Sequence, residues 1–290
     1  MQVLYSSDLH GEIRLYEELL EWVHAFKSEI VALGGDLFPS FAPSRKYEDM
    51  IPTQQRFMDQ FLRPFFRKAV DATAVQRIFI IPGNWDVAYP FLFREPMDRV
   101  VDLNQRAYWL ENRYVWVGYP FVPPTPFRPK DYEKMDDLDA PWPPQKNPSY
   151  VRSAKELQQL VPVDPHIYLR RRETIQEDLD QLPSLSSFKK TVCLMHSPPF
   201  ETALDLIYGG NRSGSRSIKA YIDKHQPLIT LHGHIHESPE LSGTYFEKVG
   251  ETICVNPGQG NWTKGKSRSL HAVAFELENP AGTLRHTCLR

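Results

Sequence analysis

Cysteine is scarce: Cys193, Cys254 and Cys288 are the only three in 290 residues. An odd number at wide spacing, with no CxxC pair, speaks against a disulfide framework and for a reducing compartment. Long hydrophobic runs are missing too. No apolar stretch approaches the roughly 18 residues of a membrane helix. The first strand-like run, Val3-Leu4-Tyr5, starts almost at the initial Met, so neither a leader nor a span is expected and the expected location is cytoplasmic. Charge of one sign is absent as well. Lys plus Arg (34) and Asp plus Glu (36) leave a net charge of -2, so the footprint of a dedicated nucleic-acid binder is missing and any polyanion must be held locally. What remains is globular: 41% hydrophobic, 24% charged, and 12% aromatic, more than disordered chains carry.

Proline is in excess, at 25 residues where ordinary usage predicts roughly 15. Nine of them fall between Pro120 and Pro148. Residues 120–150 are therefore expected as an extended or polyproline II surface loop, an insertion serving as decoration, active-site lid or dimer contact.

Elsewhere short β-rich runs alternate with helix-period segments, which reads as α/β. Strands are expected at Val3 to Ser6, Ile30 to Leu33, Ile78 to Ile81, Tyr114 to Val117, Val192 to Met195, Leu228 to Leu231, Ile253 to Val255 and Val273 to Leu277. Tyr16, Leu19, Leu20, Val23 and Phe26 form one apolar helix stripe. A second helix is expected over Gln54 to Val70, kinked or interrupted by Pro64, and a third near Asp98 to Glu111. Ile175, Leu179 and Leu182 mark a helix, as do Ile218, Tyr221 and Ile222. The strands near Ile253, Val273 and Arg285, with no strong helix between them, point to an antiparallel second sheet.

The strand ends carry the chemistry. Asp8-Leu9-His10, Gly34-Gly35-Asp36, Gly83-Asn84-Trp85-Asp86 and Gly233-His234-Ile235-His236 each follow an apolar run, and His196 closes a fifth. Such positions face one crevice in open α/β sheets. Singly each has a bland reading: a turn or cap for Asp8-x-His10, an ordinary turn for Gly35-Asp36, an Asx-turn for Asn84, a packed strand-end histidine for His196. Five strand ends together, each bearing a metal-ligand type beside glycine or proline, make coincidence a poor account. Two carboxylates, four imidazoles and one amide are too many for one tetrahedral ion and divide well between two that share a carboxylate. Without thiolate, the set suits manganese, iron or zinc better than calcium or copper(I). His232 adjoins the motif, but strand alternation turns it away from the centre.

This ordered set resembles the calcineurin-like metallophosphoesterase superfamily. The stretch His196-Ser197-Pro198-Pro199, Gly214-Ser215, Gln226-Pro227, Gly233 to Ser238 and Asn256-Pro257-Gly258 is most similar to predicted phosphoesterases related to bacterial cyclic-nucleotide phosphodiesterase. The resemblance implies a four-layer α/β/β/α sandwich of two mixed sheets and one catalytic domain over 1–290. It also implies a dinuclear centre, with Asp8, His10, Asp36 and His236 on one ion and Asp36, Asn84, His196 and His234 on the other. Asp8, His10, Asp36 and Asn84 would then be catalytic, through in-line attack of a metal-bridging hydroxide. One departure stands out. Where many members have Gly-Asn-His, this chain has Trp85, whose indole donates no catalytic proton but can stack on a base or an aromatic leaving group.

The expected activity is that of a dinuclear-metal-dependent phosphodiesterase on a small or nucleotide-like ester. A nuclease or nucleotide-conjugate pyrophosphatase is the alternative, and a non-catalytic metal-binding scaffold the third reading. Substrate contacts are expected from Trp85 and from Arg212 and Arg216, which lie in a glycine-rich loop leading into a helix. Ser215 is the natural cap of that helix. Arg170-Arg171-Arg172 reads as a solvated helix start. Oligomeric state is open.

Overall fold

The computed structural model describes residues 1–40, 46–139, 142–182, 188–259 and 269–288. Strands β1 (Gln2–Ser6), β2 (Ile30–Leu33), β3 (Arg77–Ile80) and β4 (Val100–Asp102) run parallel in one sheet. A second sheet begins with β5 (Ala107–Leu110), antiparallel to β6 (Tyr114–Tyr119). The hairpin β7 (Ser149–Arg152) and β8 (Leu160–Val163) stands apart. Then β9 (Thr191–Met195), β10 (Ile229–Leu231), β11 (Phe246–Val249) and β12 (Thr252–Val255) complete the second sheet, whereas β13 (His271–Glu276) and β14 (Arg285–Cys288) return to the first. The orders are β14-β13-β1-β2-β3-β4 and β11-β12-β10-β9-β6-β5.

Both faces of the central strands β2, β9, β10 and β12 are buried, which is why these runs read as continuously apolar. Val3, Tyr5, Ile30, Ala32 and Phe79 of the first sheet pack against Trp116, Val192, Leu194, Ile229 and Leu231 of the second. Phe79 and Trp116 stack between the sheets at 4.4 Å. The alternate residues, Leu4, Val31, Leu33, Ile78 and Ile80, face outward and are covered by Leu15, Tyr16 and Leu19 of α1 (Ile13–Phe26) and by a second helical stretch. On the far side Cys193 and Met195 pack with helices α5 (Ile175–Asp180) and α6 (Arg216–His225). The result is the expected four-layer α/β/β/α sandwich of two mixed sheets.

Several expectations need correction. The helical stretch runs from α2 (Met50–Phe57) into α3 (Arg63–Ala72) through a π turn, Met58–Leu62. The π turn just before Pro64 interrupts the regular i→i−4 ladder, so the proline's missing N–H is tolerated there without breaking the helical stretch. No helix forms over Asp98 to Glu111: Val100 to Asp102 is recruited as an edge strand by β3, and Ala107 to Leu110 pairs with β6. The closing strands do not make an antiparallel sheet of their own. Strand β12 lies parallel to β10 in the second sheet, whereas β13 and β14 are antiparallel neighbours beside β1 in the first.

The described residues of 120–139 and 142–150 are not simply a solvated surface loop. Lys130 and Glu133 are fully buried and paired at 2.8 Å, and Glu133 also accepts from the Thr125 amide at 3.0 Å. Lys134 meets Asp178 at 2.6 Å. Arg170-Arg171-Arg172 ends α4 (Pro165–Arg170) instead of starting a helix. Arg172 donates to the carbonyls of Lys130, Asp131 and Glu133 and lies over the Phe121 ring. Among the described residues no helix is long and apolar enough to cross a membrane.

Candidate metal centre

Each ligand candidate lies just past the carboxyl end of a parallel strand, and the two sheets present those ends side by side. Asp8 and His10 follow β1, Asp36 follows β2 and Asn84 follows β3, whereas His196 follows β9 and His234 and His236 follow β10. The turns are unusual. Asp8, His10, Asp36 and His234 have φ of 59°, 47°, 51° and 66°, a region that non-glycine residues seldom occupy and that clusters at functional sites. Pairing beyond the strands holds them there: the amides of Asp8 and His10 donate to Gly35 and Asp36 at 2.9 and 2.8 Å. Glycine is required where these turns meet. A Cβ on Gly83 would lie 2.3 Å from Asp36 Oδ1, and one on Gly233 2.0 Å from Ser7 Oγ.

Donor atoms of Asp8, His10, Asp36 and His236 all lie within 4.8 Å of one another. His10 Nε2 is 3.3 Å from His236 Nε2 and 3.6 Å from Asp36 Oδ2, and His236 Nε2 is 3.1 Å from Asp8 Oδ1. From the other side His196 Nε2 comes within 3.7 Å of the same Asp36 Oδ2 and 3.3 Å of Asn84 Oδ1. The His234 ring lies 5.4 Å from that of His196, and its amide donates to both oxygens of Asp8.

Ligand bonds of about 2.1 Å place neighbouring donor atoms about 3.0 to 3.5 Å apart around one ion. The spacings among Asp8, His10, Asp36 and His236 fit a bound divalent cation, and Asp36 Oδ2 also lies 3.7 Å from His196 Nε2. The other oxygen, Oδ1, accepts the Trp85 amide at 2.8 Å. His196 Nδ1 donates to the Gly34 carbonyl at 2.7 Å, which leaves Nε2 to face the centre. Asn84 Nδ2, buried, finds no hydrogen-bond partner among the described residues, as befits an amide oriented by its oxygen.

Electrostatics carry the same sign. Burial alone would raise the Asp8 carboxyl, yet His236, His196 and His10 hold it well below its usual range. Asp36 is lowered against burial by His196 and His10. Against its own burial, His196 is pushed up to about 9 by Asp36 and Asp8. His234, buried beside His196, is pushed down to about 3. The carboxylates are ionised, as metal ligation requires, and His196 would have to give up its proton to act as a ligand.

Residues that carry no ligand motif complete the centre. Asp86 accepts from the amides of Leu37, Phe38 and Gly83 at 3.0, 3.0 and 2.9 Å, lacing the Asp36 turn to the Asn84 turn. Asn256 donates to the carbonyls of Gly233 and Ile235, which gives its Asn-Pro-Gly motif a role in holding the His234 turn. The Gln259 amide donates to Ser7 at 2.7 Å. His232 turns away, donating to Ser197 and contacting Thr230.

A cavity of about 380 Å³ opens over the centre, lined by His10, Asp36, His234 and His236 together with Trp85, Phe127 and Tyr208. Trp85 lines this cavity. Arg212 and Arg216 do not. Arg212 is committed to Asp205 Oδ1 at 2.9 Å and to the Thr202 carbonyl. Arg216 lies over the Phe200 ring at 4.0 Å, and both arginines line a separate hollow under the proline-rich segment. The α6 N-terminus is likewise filled, by Ser215 as cap and by Asp136, which accepts the amides of Arg216 and Ser217. No vacancy for a phosphate remains there.

The family model for calcineurin-like phosphoesterases matches residues 1–238. No curated protein matches. Among solved structures, one crystal structure superposes over 100% of this chain and 99% of its own with a TM-score of 0.62 and 16% identity. TT1561 of Thermus thermophilus does so over 100% and 99%, with a TM-score of 0.53 and 17% identity. A dimetal phosphatase from Danio rerio covers 94% of this chain and 95% of its own, with a TM-score of 0.50 and 10% identity.

Proposed function

Because the chain belongs to the calcineurin-like phosphoesterase family, we propose that it is a metal-dependent phosphoester hydrolase acting by preference on diesters of a small or nucleotide-like substrate. The observation that carries this reading is the single oxygen, Asp36 Oδ2, that lies 3.6 Å from His10 Nε2 and 3.7 Å from His196 Nε2. Asp8, His10, Asp36 and His236 would hold one divalent cation, and Asp36, Asn84, His196 and His234 the other, the metal being manganese, iron or zinc. When bound, such a pair supplies positive charge for the phosphoryl oxygens and a nucleophile at neutral pH.

The chain's own groups do the positioning. The Trp85 amide fixes Asp36, the Gly34 carbonyl fixes His196, and Asp86 locks two ligand turns together. Both sheets contribute ligands, so the chain works as one catalytic unit. Trp85 shapes the substrate preference. A monoester or a poor leaving group needs a proton donor, which indole is not, whereas a diester with a good leaving group needs such help least.

Turnover of bis-p-nitrophenyl phosphate, p-nitrophenyl phosphate, cyclic nucleotides and single-stranded DNA, each with added manganese, tests the proposal. The expected result is diester turnover well above monoester turnover. The reverse order would overturn the diester preference, and no turnover at all would leave a metal-binding scaffold.

A further inference from the structure

Three aromatic side chains from unrelated parts of the chain line the cavity over the ligand cluster. Trp85 follows the Asn84 turn. Phe127 comes from the proline-rich segment, its ring tilted by 52° to that of Trp85 with the centroids 5.2 Å apart. Tyr208 comes from a third segment and is 56% exposed, and Phe127 is 39% exposed. Single exposed rings are ordinary, whereas three aromatic side chains gathered in one cavity with four ligand candidates mark a binding surface.

Tyr208 is held in place by a built device. It sits beside Gly209 and Gly210 at the tip of a hairpin closed by the bridge between Leu206 and Arg212 and by the Ile207 amide donating to Asn211 at 3.0 Å. The root of that hairpin is anchored on Asp205, fully buried. Its carboxylate takes Arg212 and the amides of Glu201, Thr202 and Gly214. Arg212, expected to bind phosphate, instead fixes the loop that carries the tyrosine. Phe127 is similarly placed, its amide donating to Thr125 Oγ1 above the buried Lys130 and Glu133 pair.

We propose that Trp85, Phe127 and Tyr208 form a clamp for a planar aromatic ring carried by the phosphate ester, with the phosphate over the ligand cluster. This rests on the phosphoesterase reading and names its substrate class: an ester whose organic part is a nucleobase or an aryl group. A cavity of about 380 Å³ is within the size range of small-molecule sites. Rings stack on aromatic faces with little regard to their substituents, so the clamp selects planarity. The proline-rich segment thereby supplies one wall of the substrate site.

Calorimetric titration of the manganese-loaded protein tests the clamp with ligands that cannot be hydrolysed. Phenylphosphonate and cyclohexylphosphonate share head group and bulk and differ in planarity. Phenylphosphonate is expected to bind about tenfold tighter, the scale of one stacking contact. Phe127→Ala and Tyr208→Ala should each cut that ratio about threefold or more, with Phe127→Tyr restoring it and cyclohexylphosphonate affinity unchanged throughout. The methylenephosphonate analogues of adenosine monophosphate and ribose 5-phosphate separate the two sources: discrimination in this pair alone assigns a nucleobase, and in the phenyl and cyclohexyl pair alone an aryl group on phosphorus. Equal binding within both pairs, or ratios untouched by both alanine variants, would overturn the clamp. Turnover of bis-p-nitrophenyl phosphate, measured in parallel, keeps the two proposals apart. Its presence without ring discrimination sinks the clamp alone, and its absence with discrimination intact sinks the phosphoesterase reading alone.

Discussion

The ligand cluster and the proline-rich segment both bury charge, and they dispose of it in opposite ways. In residues 120–150 buried charges are answered within the protein: Lys130 by Glu133 at 2.8 Å, Lys134 by Asp178 at 2.6 Å, and Asp136 by the amides of Arg216 and Ser217. Burial pushes Glu133 up to about 7 and Lys130 down, and their mutual contact opposes both shifts. In the cluster, carboxylates and imidazoles crowd together with their donor atoms turned toward one another, and the turns that carry them have positive φ. Charge burial alone is therefore no sign of function. Convergence of metal-ligand atoms on a common point, held by backbone in a costly conformation, is one.

The largest effect that would break this contrast is at Asp36. Asp36→Ala should abolish both bound metal equivalents, read by elemental analysis, and lower diester turnover by about three orders of magnitude. A variant retaining one full equivalent and its turnover would show that the two halves of the cluster are independent. The complementary change is Glu133→Ala, which strands a buried ammonium. It should cost about 3 to 5 kcal/mol of unfolding free energy in urea with metal content unchanged. The double variant Lys130→Met with Glu133→Leu should recover part of that loss, since the apolar pair strands no charge but leaves the Thr125 amide and carbonyl without their partners.

A smaller effect is expected at Asp86, which faces amides and no ion. Asp86→Asn keeps the shape but gives up part of the acceptor capacity for Leu37, Phe38 and Gly83. Metal affinity should fall about 10- to 100-fold, with the unfolding midpoint of the metal-free protein little changed. The smallest is a pH slope. His286 is pushed down to about 4 by burial and by His271. The unfolded chain protonates it near pH 6.5, so between those values the unfolded state holds the extra proton. His286 thus contributes stability that is present above pH 6.5 and lost as pH falls through 4. His286→Phe, which can keep the stack on Tyr245, should flatten the midpoint-against-pH curve over that window. An unchanged slope would place the acid sensitivity elsewhere.

Much of this molecule is written locally. Apolar runs buried on both faces mark the parallel strands, and ligand residues at their carboxyl ends with glycine or proline beside them mark the centre, because sheet geometry brings strand ends together wherever such strands pair. Other features have no local signature. Val100 to Asp102 is a strand because β3 offers an edge, against a weak helical pattern, and β12 is parallel because it lies beside β10. The proline-rich segment announced only that it lacks backbone donors. Its packing rests on buried charges that find partners, Lys130 within the segment and Lys134 on Asp178, and among the described residues Phe127 reaches the cavity beside Trp85. Arg212 is the sharpest case, because a glycine-rich loop with an arginine suits a phosphate until Asp205, seven residues earlier in sequence, is seen to occupy the guanidinium. Residue identity and order alone said which groups can bind metal and where along the chain they stand. Folding in three dimensions settled which donor atoms share an oxygen, which charges cancel, and which aromatic rings are left facing the cavity, since those are matters of a few ångströms between segments far apart in the chain.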